Sequence, residues 1–502
     1  MTERVLIVGA GVGGLATAIR LQAAGKQVHV VERAQEVGGR CSRIRDGGFQ
    51  FDVGPTLLLM KPVFEELFAS AGRKLSDYLE LSPCDPNYEI WFGDGESVVF
   101  STQLREMQKE LERLQPGAFG GYLRYLEEGR KGMAASLDRF VGRNFDSLAQ
   151  FATPANLKTV LDVNAHRSLY SVVSRHFHDE RLRIALSFQT MYLGISPYEA
   201  PGVYSLLPYT ELADGIWFPK GGLYAVPQAL ERLARELGVT FELGKAVAKV
   251  EIENNVARGV HLADGSRRSA DTVVLNADLP YAYRELLPDS PLPRADKLKF
   301  TSSALMFYWG LDRQAPRLRH HNIFLADFAD NFADIFERGR VPEDPSFYVN
   351  VATRSDASLG PAGRDGVYVL VPVPHLGPRI DWDAEVKRVR ERVLTRLAGA
   401  GCDLRGHIAL EHVRTPKDWR DGLNLEHGAA FGLSHDLFQV GYFRPANQHA
   451  RYKNVYFVGA STQPGTGLPM VVLSSRLTTE RIMKALAARA SAPATRMVGD
   501  AA

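Results

Sequence analysis

The sequence predicts an α/β fold, a Rossmann-like domain interrupted by an inserted α+β domain. Three observations predict it. A short aliphatic strand, Arg4–Val8, runs straight into the glycine-rich stretch GAGVGG. A helix and a second strand follow at once and close on an acid, Glu32. Two further aliphatic strands, within residues 270–278 and 454–460, lie far downstream.

Each element has its own reason. Residues 4–8 are a continuous run of large aliphatics, the pattern of a strand buried on both faces. Residues 13–24 carry small and apolar side chains at helical spacing, and Gly25 stops that helix. Residues 27–32 form the second strand. The stretch 224–237 reads as an amphipathic helix ending at Gly238. A meander follows, with turns at Asn254–Asn255 and Asp264–Gly265. Residues 270–278 return to the sheet, 454–460 complete it, and a last helix starts beyond Pro469. The nucleotide domain is therefore expected in three pieces, 1–105, 219–290 and 421–487. The insertions 106–218 and 291–420 would form the second, substrate-binding domain. The Ala-rich tail 488–502 is expected to be disordered.

The totals narrow the function classes. Lys+Arg is 60 against Asp+Glu 58, so no global field draws in nucleic acid. Cys41, Cys84 and Cys402 lie far apart with no CxxC spacing, which suits a reducing compartment with neither a disulfide framework nor a zinc site. The N-terminus opens on a strand, so no signal peptide is expected. No apolar run approaches the ~18 residues that would suggest a spanning helix.

The chemistry sits in the glycines. Gly9, Gly11 and Gly14 match GxGxxG directly after a strand, where helix N-terminal amides can hold a pyrophosphate. Glu32, at the end of the second strand, is placed to accept hydrogen bonds from ribose hydroxyls, and it disfavours a ribose phosphate. The motif continues as ERAQEVGGRCSRIRDGGFQFDVGPT. Here Gly38 and Gly39 permit a second close backbone approach, Arg40 brings a cation, and Asp52, Gly54 and Pro55 lie on the next strand and turn. Near the C-terminus, NVYFVGASTQPGTGLPMVVLSSRLTTERI delivers Gly459 from a strand, breaks at Gly465 and Gly467, and enters a helix near Leu468.

This order of motifs resembles the flavoprotein family that includes amine oxidases, Rab escort and GDP-dissociation-inhibitor proteins, and carotenoid desaturases. The C-terminal stretch, with SSALMFYWGL, DERLRIALSFQTMYLGISPY, FPKGGLYAVPQAL and NLEHGAAFGL, is similar to bacterial and fungal-type phytoene desaturases along nearly the whole chain. The resemblance implies FAD. Carried over position by position, it implies a cofactor site of Gly9, Gly11, Gly13, Gly14, Glu32, Arg33, Gly39, Arg40, Gly54, Pro55, Val247, Gly459, Gly467, Leu468 and Met470. Gln463 stands where a histidine is common in the family, so no catalytic role is carried over to that position.

The implied reaction takes hydride from a C–H bond beside a double bond of a linear C40 or C30 polyene. Loss of a proton then adds a conjugated double bond, and quinone or oxygen reoxidises the flavin. Because such a substrate lives in lipid, the resemblance also implies a cytoplasmic enzyme peripheral to the cytoplasmic membrane. Three other readings stay open: a flavin-dependent carotenoid isomerase or saturase, an amine oxidase-like enzyme, and a non-enzymatic prenyl-binding chaperone. Against the second, Ala460–Ser461 stands where amine oxidases place an acid. Against the third, the glycine loop and Glu32 are intact. No catalytic base is assigned, since Asp138, Asp162, His166 and Glu199 read as surface charges or satisfied core residues. The runs Leu157, Val160, Leu161 and Leu169, Val172, Val173, with the aromatics of residues 306–311, suit either core or a substrate tunnel. Arg167, Arg175, Arg181 and Arg183 suit either a solvated face or a bilayer surface.

Overall fold

The strand Arg4–Val8 occupies the middle of a five-stranded parallel sheet. Thr272–Leu275 and then Val455–Phe457 lie on one side of it, Gln27–Val31 and then Thr240–Glu242 on the other. Having neighbours on both sides explains its unbroken aliphatic sequence. The computed structural model describes residues 2–287, 290–377 and 379–491. Three distant stretches of chain thus build one sheet. Helix Val12–Ala23 follows the first strand, and the left-handed Gly25 ends it at φ 76°. It packs against the closing helix Leu468–Ser491, to which Arg20 Nε donates through Ser475 Oγ at 3.1 Å. Residues 488–491 of the expected disordered tail are the last residues of this helix, and 492–502 lie outside the described residues.

The meander appears as an antiparallel sheet of Val247–Glu253, Val256–Leu262 and Arg267–Ser269. Its first turn places both Asn254 and Asn255 at positive φ, the conformation of a tight hairpin turn.

The chain also forms a seven-stranded mixed sheet. Its long strand, Ser303–Leu311, is buried at every position, and the period of two divides its side chains. Leu305, Phe307, Trp309 and Leu311 join an outer core with Val389, Val393 and Leu397 of helix Trp382–Gly399. Ala304, Met306 and Tyr308 face inward. The aromatics Phe307 and Trp309 therefore pack away from the cavity described below.

One boundary differs from the sequence reading. The hairpin Tyr88–Trp91 and Ser97–Phe100, expected inside the 1–105 piece of the nucleotide domain, joins the second sheet. Glu89, Ile90 and Trp91 pair in parallel with Asn322, Ile323 and Phe324. Nothing local announces such a pairing. From Leu104 to Asp214 the chain is mostly helical, the 19-residue helix Ala118–Ser136 among shorter pieces. Among the described residues no helix is long and apolar enough to cross a membrane.

Candidate functional site

Glu32 fixes the glycine loop before any ligand does. Its Oε2 accepts from Ala10 N at 2.7 Å and its Oε1 from Ala34 N at 2.8 Å. Gly9, at φ 101°, makes the turn and donates its N–H to Val31 O at 2.8 Å. The following helix starts at Val12 with Gly11 as N-cap and no side-chain cap, which leaves that end suited to an anion. Asn276, at the end of the neighbouring strand, closes the loop from behind. A Cβ on Gly11 would lie 2.8 Å from Asn276 Oδ1, and one on Gly13 or Gly459 2.9 Å from Nδ2.

Arg40 and the turn after it form the next part of the wall. Arg40 donates to Asp278 Oδ1 and to Ala430 O, both at 3.3 Å. Burial draws its guanidinium down, and Asp278 works against that. Asp278 also accepts from Ser461 Oγ and from Glu426 N. Val53 O and Gly54 O take hydroxyl protons from Tyr308 (2.7 Å) and Tyr368 (2.9 Å), so the second sheet holds this turn. Asp52 lies just behind. It holds the turn that leads into the helix Ala225–Glu236 by accepting from Leu223 N and Tyr224 N, and burial raises its carboxyl to about 6.

The C-terminal turn is pinned by two buried basic side chains. Arg444 donates to the carbonyls of Thr462, Ser434, Gln439, Leu433 and Ala460, and burial lowers it to about 10. His435 Nε2 accepts from Thr466 N at 3.1 Å, and burial holds its ring neutral. Gly467, at φ 102°, has open space where a Cβ would stand, just before the closing helix begins. Gln463 turns the other way: its Nε2 donates to Gly441 O at 3.2 Å, and it is not part of the cavity wall.

These parts line one cavity of about 860 Å³. Of the residues expected to bind cofactor, Gly9, Gly11, Gly13, Glu32, Arg33, Gly39, Arg40, Gly54, Pro55, Val247, Gly459, Gly467, Leu468 and Met470 lie on its wall. Gly14 does not. Its N–H is spent on Asn276, and a Cβ there would lie 2.1 Å from Gly9 O, so its task is packing. An uncapped helix start, an acid at the second strand end and an open cradle at Gly467 together fit a flavin dinucleotide.

The same cavity is also walled by Tyr192, His435, Met133, Phe140, Val160, Leu207 and Phe431, and exposed apolar side chains on its wall form an apolar rim. The rim exposes Leu157 (54%), Leu437 and Phe438 (77%), with Leu161 beside it (60%). Only part of the expected tunnel material is there, because Leu169, Val172 and Val173 are fully buried core. Among the described residues the carboxylates on the wall are Glu32 and Asp278, both engaged. Asp138, Asp162, His166 and Glu199 are exposed and do not reach it. Arg181 is paired with Asp179 at 2.9 Å, so it is not a free surface cation, and Arg183 donates to Phe177 O. The sequence reading missed Asn276, Asp278 and His435, which act through contacts made only in the folded chain. It also missed Glu211, buried behind the wall beside Tyr88 and Tyr192, whose carboxyl burial raises to about 8.

The chain matches the model of the flavin-containing amine oxidoreductase family over residues 12–483. It belongs to that family. Within these flavoproteins it is similar to a zeta-carotene-forming phytoene desaturase of Myxococcus xanthus, 53% identical over 96% of this chain and 94% of that protein. A phytoene desaturase of Fusarium fujikuroi is 41% identical, over 96% and 89%. A 4,4'-diapophytoene desaturase of Staphylococcus haemolyticus is 35% identical, over 96% and 98%. The flavoprotein therefore sits in the carotenoid-desaturase branch of the family and is an FAD-dependent oxidoreductase. Solved structures share the fold. An oxidoreductase from Methanosarcina mazei superposes with a TM-score of 0.64 at 18% identity, covering 95% of this chain and all of that one. A Rab GDI from Plasmodium falciparum reaches 0.56 at 13% identity, covering 97% and 98%.

Proposed function

We propose that this flavoenzyme desaturates a linear carotenoid precursor, phytoene or a later or C30 analogue, at the surface of the cytoplasmic membrane. One observation carries the reading: a single cavity is lined both by the glycine loop and by the apolar side chains of an exposed rim. FAD, when bound, supplies the two-electron acceptor, which quinone or oxygen would then regenerate. The helix start at Val12 would hold the pyrophosphate, Glu32 the ribose, and the turn from Gly465 to Leu468 the redox-active end.

The rest of the wall binds and orients. A hydrocarbon has no charged handle, so attraction comes from area, about 2.5 kcal/mol for every ~100 Å² of apolar surface buried. Part of that is offset by the cost of ordering a long chain. In the net reaction the substrate loses one hydrogen as hydride and its neighbour as a proton, and a C=C bond forms between the two carbons. With Glu32 and Asp278 both committed, proton loss is left to water or a backbone carbonyl, weak bases that suffice for an allylic cation. The exposed Leu157, Leu161 and Phe438 would enter the lipid boundary.

The test is pigment analysis after co-expression with a phytoene source. Carotenoids with more conjugated double bonds support the reading; phytoene left unchanged by a flavin-loaded protein removes phytoene as substrate, and the same outcome with later C40 intermediates and the C30 analogue overturns the reading.

A further inference from the structure

Cys84 and the adjacent pair His320 and His321 lie far apart in sequence, and the fold brings them together in the interior. One ring nitrogen of each histidine and the Cys84 sulfur all lie within 4.8 Å of one another. The three residues are 5%, 7% and 1% exposed. Cys84 ends the strand Leu81–Cys84, which pairs with Ile216–Pro219, and His321 begins the strand His321–Phe324. The two imidazoles sit with ring centroids 4.2 Å apart, and His320 meets Phe218 edge to face.

The hydrogen bonding of this trio is incomplete in a particular way. His320 Nδ1 contacts Ser355 Oγ at 2.5 Å, and His321 Nδ1 contacts Tyr348 OH at 2.6 Å and Asn350 Nδ2 at 3.2 Å. The Nε2 atoms of both rings are buried without any partner. Orphaned buried polar atoms are rare enough in proteins to need an explanation. A ring with one nitrogen steadied by a neighbouring hydroxyl and the other bare is how histidine is presented to a metal.

We propose that Cys84, His320 and His321 bind one thiophilic d10 cation, through the Cys84 sulfur and Nε2 of both histidines. One sulfur and two imidazoles, with no carboxylate in the group, select against magnesium and calcium and for zinc(II) or copper(I). Charge separates those two. A thiolate with two neutral rings balances a monovalent ion, whereas zinc(II) would leave a net buried positive charge, so copper(I) is favoured. Three donors bonded at ~2.0–2.3 Å around one ion stand about 3.5–4 Å apart, so small side-chain rotations close the site. The ion would clip the strand pair at Cys84 to the second sheet. Through His321 it would also steady Tyr348, which lines the cavity and donates to Thr56 Oγ1 at 2.9 Å.

The test uses the flavin-loaded full chain. It is titrated anaerobically with copper(I) against a chromophoric chelator, and separately with zinc(II). The expected result is one tightly held equivalent, with affinity lower by at least ~10-fold, the scale on which even outer-shell partners act, in Cys84→Ser and His321→Gln at unchanged flavin content. X-ray absorption on the loaded wild type gives a readout that does not depend on the variants folding, and one sulfur with two imidazole nitrogens is expected. The proposal fails if the wild type retains neither metal, if both variants bind as it does, or if the bound ion has no sulfur neighbour.

Discussion

Asn276 holds Gly14 against the last strand of the parallel sheet: its Oδ1 accepts from Gly14 N at 2.9 Å while its Nδ2 donates to Val458 O at 2.9 Å. One side chain thus joins the first strand's loop to the strand that arrives last in sequence. Replacement by Leu keeps the branched shape but orphans a buried N–H and a buried C=O, each at a cost of about 1–3 kcal/mol. We expect Asn276→Leu to lower the denaturation midpoint and the flavin-to-protein ratio together. Wild-type values for both would mean that the contact contributes little.

Glu32 has two jobs that substitution separates. It receives two backbone N–H groups of the loop, and its remaining lone pairs face the cavity. Glu32→Gln keeps an acceptor for one amide but gives up the charge, while Glu32→Ala gives up both. Charge-assisted bonds contribute about 1.5–3 kcal/mol each. FAD affinity should therefore fall from wild type to Gln to Ala, by roughly 10-fold and then 100-fold or more, with far-UV circular dichroism unchanged. Fluorescence titration of the apoprotein reads this directly, and an alanine variant that keeps its flavin fully would remove Glu32 from the ribose.

The parallel sheet was legible because its signals are local. Residues 4–8 announce a buried strand by composition alone, and Gly9 and Gly25 mark the turns on either side. The second sheet was less so, since the hairpin of residues 88–100 joins it through a parallel pairing with Asn322–Phe324 that leaves no trace near the hairpin itself. In residues 306–311 the sequence offered aromatics for either core or tunnel and could not say which face meets the cavity. Asn276 and His435 were invisible for a different reason, because a polar residue at the end of a strand or in a loop gains meaning only from its partner. Gln463 had the opposite fate. It stood out in the motif, yet the fold turns it away from the cavity, so Gln463→His is expected to change stability rather than product conjugation, as pigment profiles of the two proteins will show.

Glu211 makes stability depend on pH. Its carboxyl ionises near 4.5 when free and at about 8 in the fold, because burial disfavours the charge. Between those values the native state holds a proton that the unfolded chain has released. The stabilisation is therefore complete below about pH 4.5 and is lost as pH rises through about 8, a change of a few kcal/mol at most. Glu211→Gln removes this dependence, so the variant should gain on the wild type as pH climbs from about 5 to about 9. Denaturation midpoints at both ends measure it, and a constant difference would mean that the carboxyl titrates normally.

The exposed apolar residues of the rim carry the membrane reading. Phe438 is 77% exposed and Leu161 60%, on a surface where an isolated large hydrophobe is ordinary but a cluster around a cavity mouth is not. Seating each such side chain in the lipid boundary contributes roughly 1–3 kcal/mol. The triple substitution Leu157→Ser, Leu161→Ser and Phe438→Ser should then lower vesicle partitioning by about 100-fold or more. None of the three touches the glycine loop, so flavin content is expected to stay constant. Co-sedimentation with vesicles measures the partitioning, and turnover of vesicle-embedded substrate should fall more steeply than turnover of detergent-dispersed substrate. Partitioning equal to wild type would place the membrane contact elsewhere on the surface.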